Sequence, residues 1–386
     1  ARSCADLDRW QLMGRQRVAI IGATGSIGAQ TLQVLRDAPD RFELVAYAVG
    51  RESAAVQELA AAYPGAKRLV GLSGVELSDA ILGAAPDLVV AAATGLVGIH
   101  ATINALHAGA AVAIANKETI VAGGELVIGA ARSAAARRGT AILERLRPVD
   151  SEHSALWQCL AGESVDRVER FWLTASGGPF RTWDASRIAN ARFEDALKHP
   201  TWKMGGKITI DSASLVNKGL EVIEAHRLFE APMDRISIMV HPQSLLHGAI
   251  SFTDGSMKAQ IGAPDMRVPI SYAMNYPQRS EQPARAVSLA DMRELTFEEP
   301  DLQRFPGLAV ALAAGEAGGA APATLIVADD IATTRFAAGE IPFGGIPGLL
   351  RDACDRFGGR AAPASVEALS SLRDEVQAFA VQWRPA

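Results

Sequence analysis

The chain has 386 residues, enough for two or three domains at roughly 100–200 residues each, and its 49% hydrophobic and 21% charged residues make a globular rather than a disordered composition. A net charge of −5 gives no general field for nucleic acid, and no apolar run reaches the roughly 18–20 residues that span a bilayer, so neither nucleic acid nor membrane is an expected partner. The cysteines, Cys4, Cys159 and Cys354, lie far apart and form no C-x-x-C pair, which argues against a disulfide framework or zinc knuckle and for a reducing cytoplasm.

The first ten residues, ARSCADLDRW, lack the charged-then-apolar order of a secretory signal and are expected to form a frayed tail. From residue 17 onward, short apolar runs alternate with alanine-rich helical stretches. RVAII (Arg17–Ile21) precedes a glycine-rich turn and the helix-like IGAQTLQVLRDA, and FELVAYAV (Phe42–Val49) precedes the helix-like SAAVQELAAAY. KRLVGL, DLVVAAA and AAVAIA are further strand candidates. This alternation predicts an α/β fold that opens, over residues 1–150, with a Rossmann-like parallel sheet covered on both faces. After Asp150, Trp, His, Met and Ser become more frequent, which marks a central α/β catalytic domain over 151–277. PQRSEQPARAV points to a connector over 278–301. FPGLAVALAAGEAGG, LIVADDIATTRFAAG, IPGLLRDACDRFGG and VEALSSLRDEVQAFAVQW predict a small C-terminal helical domain over 302–386.

GATGSIG lies between a strand and a helix, with glycines at Gly22, Gly25 and Gly28. Glycines let the backbone approach a pyrophosphate, and the helix N-terminus offers it free N–H groups. Gly22, Thr24, Gly25, Ser26, Ile27 and Gly28 are therefore candidate cofactor contacts. The spacing is G-x-x-G-x-x-G rather than the strict G-x-G-x-x-G, so an ordinary glycine-rich βα turn is the competing reading. Gly50 and Arg51 follow the second strand, where a basic residue accommodates the 2′-phosphate of NADP, although Glu52 stands beside them. Asn116, Lys117 and Glu118 follow the last strongly apolar strand, at the carboxyl end where ligands of such sheets sit. Asn116 and Glu118 are assigned to the cofactor, and Lys117 to the cofactor or a substrate oxygen.

PVDSEHSALWQCL carries Asp150 and Glu152. If the segment is extended, residues two apart point the same way and both carboxylates converge on a hard cation such as Mg²⁺ or Mn²⁺. The rival reading is a pair of helix N-terminal acids that satisfy free amides. IDSASLVNKGLEVIEAHRLF offers Glu221 and Glu224 as a third carboxylate and groups Ser212, Asn217 and Lys218, a donor set suited to a phosphate. Lys218 and Glu221 share a face if this stretch is helical. Ser176 in TASGGPF is a further phosphate donor candidate, and HPTWKMGGKI has the make-up of a closing lid.

In this order and spacing, GATGSIG, ANKE, PVDSEHSALWQCL, SGGPF, HPTWKMGGKITIDSASLVNKGLE and HPQSLLHGAISFTDGSMKAQIGAPDMRVPI closely resemble the 1-deoxy-D-xylulose 5-phosphate reductoisomerase family from about residue 17 to about 310. The resemblance implies rearrangement and reduction of that sugar phosphate to 2-C-methyl-D-erythritol 4-phosphate, in the non-mevalonate route to isoprenoids, with NADPH and Mg²⁺, Mn²⁺ or Co²⁺. It implies Asp150, Glu152 and Glu221 as metal ligands. It places Ser176, Ser212, Asn217 and Lys218 around the phosphate end with His199 nearby, and Ser151 and Lys117 at the oxygen-bearing end. Trp202 and Met204 would lie on the lid, and Lys117, Asp150, Glu152 and His199 would be catalytic. It further implies a homodimer and inhibition by fosmidomycin, a metal-chelating phosphonate hydroxamate.

The chain departs from the family pattern in three places. Ala23 replaces a serine in the first turn. AILERLRPVD carries Glu144, Arg145 and Arg147 in a normally apolar run. IVADD (Ile326–Asp330) stands where the family tends to show Asn-Ala-Ala-Asn-Glu, so no functional residue is carried over there. The alternatives to the reductoisomerase are another NADP-dependent dehydrogenase of a small phosphorylated or semialdehyde substrate, and a non-catalytic nucleotide-binding relative.

Overall fold

The structure, a computed structural model, describes residues 14–200, 202, 205–281 and 284–385. The expected frayed tail and Met204 of the expected lid lie outside the described residues. Contacts divide the chain into two compact units. The first takes the described residues of 1–116, 130–149 and 266–283, and the second those of 117–129, 150–265 and 284–386. The expected domains are contiguous blocks of sequence, whereas each of these units gathers three stretches.

The first unit is built on a six-stranded sheet of β1 (Gln16–Ile21), β2 (Phe42–Val49), β3 (Lys67–Val70), β4 (Leu88–Ala91), β5 (Ala111–Ile114) and β6 (Leu146–Pro148), in the order β3-β2-β1-β4-β5-β6. All five pairings are parallel. Val18–Ile21, Leu88–Ala91 and Ala111–Ile114 are buried without a break, because a parallel strand with helices on both faces has no wet side. The connecting helices Ser26–Asp37, Ala54–Ala62, Gly74–Leu82 and Ile99–Ala108 supply that cover. Strand order reverses between β1 and β4, which makes a topological switch point outside the carboxyl ends of those strands.

The charged run before Asp150 is accommodated by breaking the strand. Ile142–Arg145 form a one-turn helix, and only Leu146–Pro148 join the sheet. Arg145 donates to the Gly109 carbonyl, at the negative end of the Ile99–Ala108 helix. Arg147 is buried, donates to the carbonyls of Glu144 at 3.0 Å and Ala273 at 2.7 Å, and lies 5.6 Å from the centre of the Tyr276 ring. Burial, and then the nearby Arg145, push its pKa down to about 10.

The second unit holds a mixed sheet of β7 (Val168–Ala175), β8 (Ile236–Val240), β9 (Leu246–Phe252) and β10 (Met257–Ile261), in the order β10-β9-β7-β8. The helix Ser151–Cys159 packs on β9 at Gly248, where an added Cβ would lie 3.2 Å from the Glu152 carbonyl oxygen. The helix Val216–Phe229 lies against Pro306–Ala317 at Gly219, where a Cβ would meet that of Ala311 at 2.4 Å. The four expected C-terminal helices are present as Pro306–Ala317, Ala321–Ala337, Ile346–Phe357 and Val366–Gln382. Among the described residues no helix is long and apolar enough to cross a membrane.

Candidate active site

In the first unit, Gly22 closes β1 with φ of +88°, and a Cβ there would stand 2.8 Å from the backbone of Ala92 at the end of β4. At Gly28 a Cβ would lie 2.2 Å from the Gly22 carbonyl oxygen, so both positions exclude a side chain. Gly25 is the N-cap of the Ser26–Asp37 helix without any side-chain cap, and Thr24, Gly25 and Ser26 are exposed, with Ile27 half-buried. Uncapped, exposed N–H groups at a helix start are an anion cradle. Ala23 is fully buried, and its N–H donates to the Ala48 carbonyl, which explains why a small apolar residue suits the position. Gly50 and Arg51 are exposed beyond the end of β2. Glu52 pairs with Arg68 at 3.6 Å and accepts from Gln57 at 2.9 Å, which engages the acid beside Arg51. Asn116 is buried and donates to the carbonyls of Ala93 and Gly95, fixing the loop after β4.

The second unit gathers the carboxylates. Ser151–Cys159 is a helix, so the extended segment considered above does not form. Asp150 is its N-cap residue but makes no side-chain cap bond, so the capping alternative does not hold for it either. The Asp150 side chain turns instead to Lys117, Oδ2 to Nζ 2.5 Å. Lys117 opens the helix Lys117–Gly123 and is buried, donating to Asn217 Oδ1 at 2.8 Å and Glu221 Oε1 at 3.0 Å. Lys218 Nζ reaches Glu152 Oε1 at 3.0 Å and also bonds Glu221, its neighbour one turn along. Ser151 Oγ donates to Glu152 Oε2 at 2.6 Å, and Asn217 Nδ2 to Glu221 Oε1 at 2.5 Å.

Oxygens of Asp150, Glu152 and Glu221 lie within 4.8 Å of one another. Two bonds of about 2.1 Å to one octahedral ion set oxygens about 3.0 Å apart when adjacent and about 4.2 Å apart when opposite, so side-chain rotations that draw the three oxygens together would let all of them ligate Mg²⁺ or Mn²⁺. Three hard oxygen donors suit those ions, and two ammonium groups against three carboxylates leave the set negative. A second trio, Asp150, His153 and Glu224, is equally close. His153 and Glu224 are 0% and 1% exposed, so that trio offers no open face to a substrate. Sequence reasoning gave His153 no place in the site and weighed Glu224 only as an alternative to Glu221 for the third carboxylate. Each stands three residues beyond a carboxylate, Asp150 and Glu221, and that helical spacing was the available signal. His153 Nε2 meets the Glu221 carbonyl at 2.8 Å, and its Nδ1 lies 3.5 Å from Glu224 Oε2.

Burial alone would raise Asp150, but Lys117, His153 and Lys218 hold it well below the usual carboxylate range. Burial and the Glu221 charge push Glu152 up to about 7 against the pull of Lys218. Burial lowers Lys117, but Asp150, Glu221 and Glu224 outweigh it and lift the ammonium well above its ordinary value.

The residues expected around a phosphate lie in the same unit, with the Asn217 and Lys218 side chains bonded among the carboxylates described above. Ser176 Oγ is 3.0 Å from His199 Nε2, and His199 Nδ1 accepts from the Trp202 N–H at 2.8 Å. That acceptor role leaves the ring proton on Nε2, facing Ser176. Burial pushes His199 down to about 4, so the ring is neutral at pH 7. The half-buried Trp202 ring lies 6.2 Å from that of His247. Gly178 fits against the Ser212 backbone so closely that a Cβ would lie 2.6 Å from its carbonyl oxygen. Leu215, in the left-handed region at φ of +58°, turns the chain sharply from Gly206–Ala213 into Val216–Phe229, and so joins Ser212 to Asn217 and Lys218. Glu118 faces Lys207 and helps to raise its pKa.

Family models describe three parts of the chain. Residues 18–71 and 65–124 match 1-deoxy-D-xylulose 5-phosphate reductoisomerase, residues 146–229 the C-terminal domain of that enzyme, and residues 261–379 the DXP reductoisomerase C-terminal domain. The 1-deoxy-D-xylulose 5-phosphate reductoisomerase of Pelotomaculum thermopropionicum is 44% identical over 381 residues, covering 93% of this chain and 96% of its own. That of Chlorobium chlorochromatii is 46% identical over 349 residues, covering 84% and 88%. Among solved structures, the Zymomonas mobilis reductoisomerase in complex with NADPH is similar at a TM-score of 0.83 and 36% identity, covering 95% of this chain and 98% of that one. A DOX-P reductoisomerase in complex with NADPH, fosmidomycin and magnesium reaches 0.85 and 32%, covering 95% and 97%. With these relatives matched along nearly their whole length, the chain belongs to the 1-deoxy-D-xylulose 5-phosphate reductoisomerase family.

Proposed function

We propose that the protein rearranges 1-deoxy-D-xylulose 5-phosphate and reduces the product with NADPH to 2-C-methyl-D-erythritol 4-phosphate, with Mg²⁺ or Mn²⁺ (Co²⁺ also serving) held by Asp150, Glu152 and Glu221. The convergence of these three carboxylates within 4.8 Å, beside Lys117 and Lys218, carries this reading. When bound, a divalent ion supplies polarisation of the substrate's carbonyl and neighbouring hydroxyl oxygens, and NADPH supplies a hydride. Lys117 and Ser151 donate hydrogen bonds to the substrate's oxygen-bearing end. Ser176, Ser212, Asn217 and Lys218 bind the phosphate, with His199 orienting Ser176. Trp202, with Met204, covers the substrate and excludes water. The Gly22–Gly28 turn and the exposed helix N-terminus receive the cofactor's pyrophosphate, with Arg51 beyond Gly50 facing its 2′-phosphate.

The rearrangement moves a carbon–carbon bond without changing the oxidation level. The aldehyde that it leaves takes one hydride and one proton to become the alcohol. The phosphate lies away from the reacting carbons, so its binding energy goes into orientation. The protein works in the cytoplasm as a homodimer. Free cysteines at Cys159 and Cys354 support the first, and the exposed Met257 and Ile261 on the edge strand β10 support the second.

The test is NADPH oxidation by the purified protein with 1-deoxy-D-xylulose 5-phosphate and Mn²⁺. Excess chelator and fosmidomycin should each stop it. Glu152→Gln should lower turnover at least about a hundredfold through loss of a ligand while NADPH binding stays unchanged. Metal-independent oxidation would reject the reading, as would a Glu152→Gln chain that loses NADPH affinity in step with turnover.

A further inference from the structure

A second ionic group lies in the same unit, apart from the carboxylates described above. Lys207 stands in the first turn of the eight-residue helix Gly206–Ala213. Its Nζ is 2.8 Å from Asp211 Oδ2 on its own helix, and 2.6 Å from Asp329 Oδ2 and 3.4 Å from Asp330 Oδ1 on the helix Ala321–Ala337. Asp329 is fully buried and Asp211 is 3% exposed. Oδ1 of each is buried without a hydrogen-bond partner. Burial and the Asp329 charge raise Asp211 well above the carboxylate range against the pull of Lys207. A buried pair of this kind costs desolvation that its attraction barely offsets, so stability is a weak reason for it. Its geometric effect is plain. One cation ties two helices together, and the shorter of them carries Ser212 in its last turn, seated on Gly178 beside Ser176 and joined through Leu215 to Asn217 and Lys218.

We propose that Lys207, clasped by Asp211 and Asp329, is a positioning residue for the phosphate end of the substrate: it fixes the Gly206–Ala213 helix on Ala321–Ala337 so that Ser212, Asn217 and Lys218 present their donors together. This rests on the reading of those residues as the phosphate site. Asp329 and Asp330 belong to the IVADD stretch, to which no role was carried over from the family, and the clasp gives that stretch one.

The experiment compares Lys207→Met with the parent chain. The clasp predicts a rise of about tenfold to a hundredfold in KM for 1-deoxy-D-xylulose 5-phosphate. KM for NADPH and the Mn²⁺ requirement should not move, and kcat should change far less than KM. Affinity for fosmidomycin should fall with it, while acetohydroxamate, which chelates metal but has no phosphonate, should bind as before. Since Lys207→Met leaves buried carboxylates without a cation, the folded state is secured by a second variant, Lys207→Met/Asp211→Asn/Asp329→Asn, which removes the whole charge set at nearly constant shape. The same rise in KM is expected from it, and an unchanged KM in this folded variant overturns the proposal. Lys218→Ala separates the two readings. If it leaves fosmidomycin affinity intact, the phosphate site itself is misplaced. If it weakens fosmidomycin while the Lys207 variants do not, the clasp alone fails.

Discussion

His247 is 7% exposed, and burial holds its imidazole down to about 4 against hydrogen bonds at Ala263 and Gly262 that favour the charged form. In the unfolded chain the same ring titrates near its ordinary 6.5. Between those values the unfolded state binds the extra proton, so stability is fully present above pH 6.5 and is lost as pH falls toward 4. At pH 5 the loss is roughly 1–2 kcal/mol for this one ring. Denaturant midpoints at pH 7 and pH 5 should therefore differ, and the difference should shrink in His247→Gln. An equal drop in both chains would remove His247 as its source. At this scale the sequence was most legible where one residue type has one use. Gly22 and Gly28 of the first turn are unreplaceable because their missing Cβ atoms are where backbone passes, 2.8 Å and 2.2 Å away. Asp150 was harder to read, because its neighbour Lys117 is 33 positions upstream and no local pattern aims a carboxylate at it.

Helices carry most of the site, and their seating is set by small residues. Gly219 lies on the helix that holds Asn217, Lys218 and Glu221, with Ala311 filling the space a side chain would need. Gly219→Ala forces that helix away from Pro306–Ala317. A loss of about 1–3 kcal/mol is expected from overpacking, read as a lowered Tm, together with weaker Mn²⁺ activation as Glu221 shifts. Unchanged stability would mean that the two helices slide freely past each other. The strands and helices of the first unit were legible because buried parallel strands are continuous apolar runs and helices repeat near every third or fourth residue. The segment after Pro148 misled the extended reading for a physical reason: D-S-E fits an extended ligand strand and a helix start equally well, and only the surroundings decide. The charged run at Glu144–Arg147 is resolved at this scale too, as one helical turn whose arginines meet carbonyl groups.

On the scale of the whole molecule, the proposed homodimer concentrates on β10, whose Met257 is 58% exposed on a strand with one paired neighbour. Sedimentation equilibrium should return twice the chain mass of 40.7 kDa, and Met257→Lys with Ile261→Lys should shift it toward the single chain. A parent chain that sediments at 40.7 kDa would end that proposal. Long-range order was the least legible level. The Lys207–Asp329 contact joins residues 122 positions apart, and nothing periodic in either segment announces it.

The threading of the two units has a further consequence, for inheritance. Each unit is assembled from three separated stretches, so the chain passes from one to the other five times. A single recombination crossover anywhere between 116 and 284 would give its recipient an incomplete share of both units, with strands missing their neighbours or ligands missing their partners. Such a protein cannot acquire a new first unit by one exchange of gene segments, as a bead-on-a-string enzyme can. Its two units are bound to descend together.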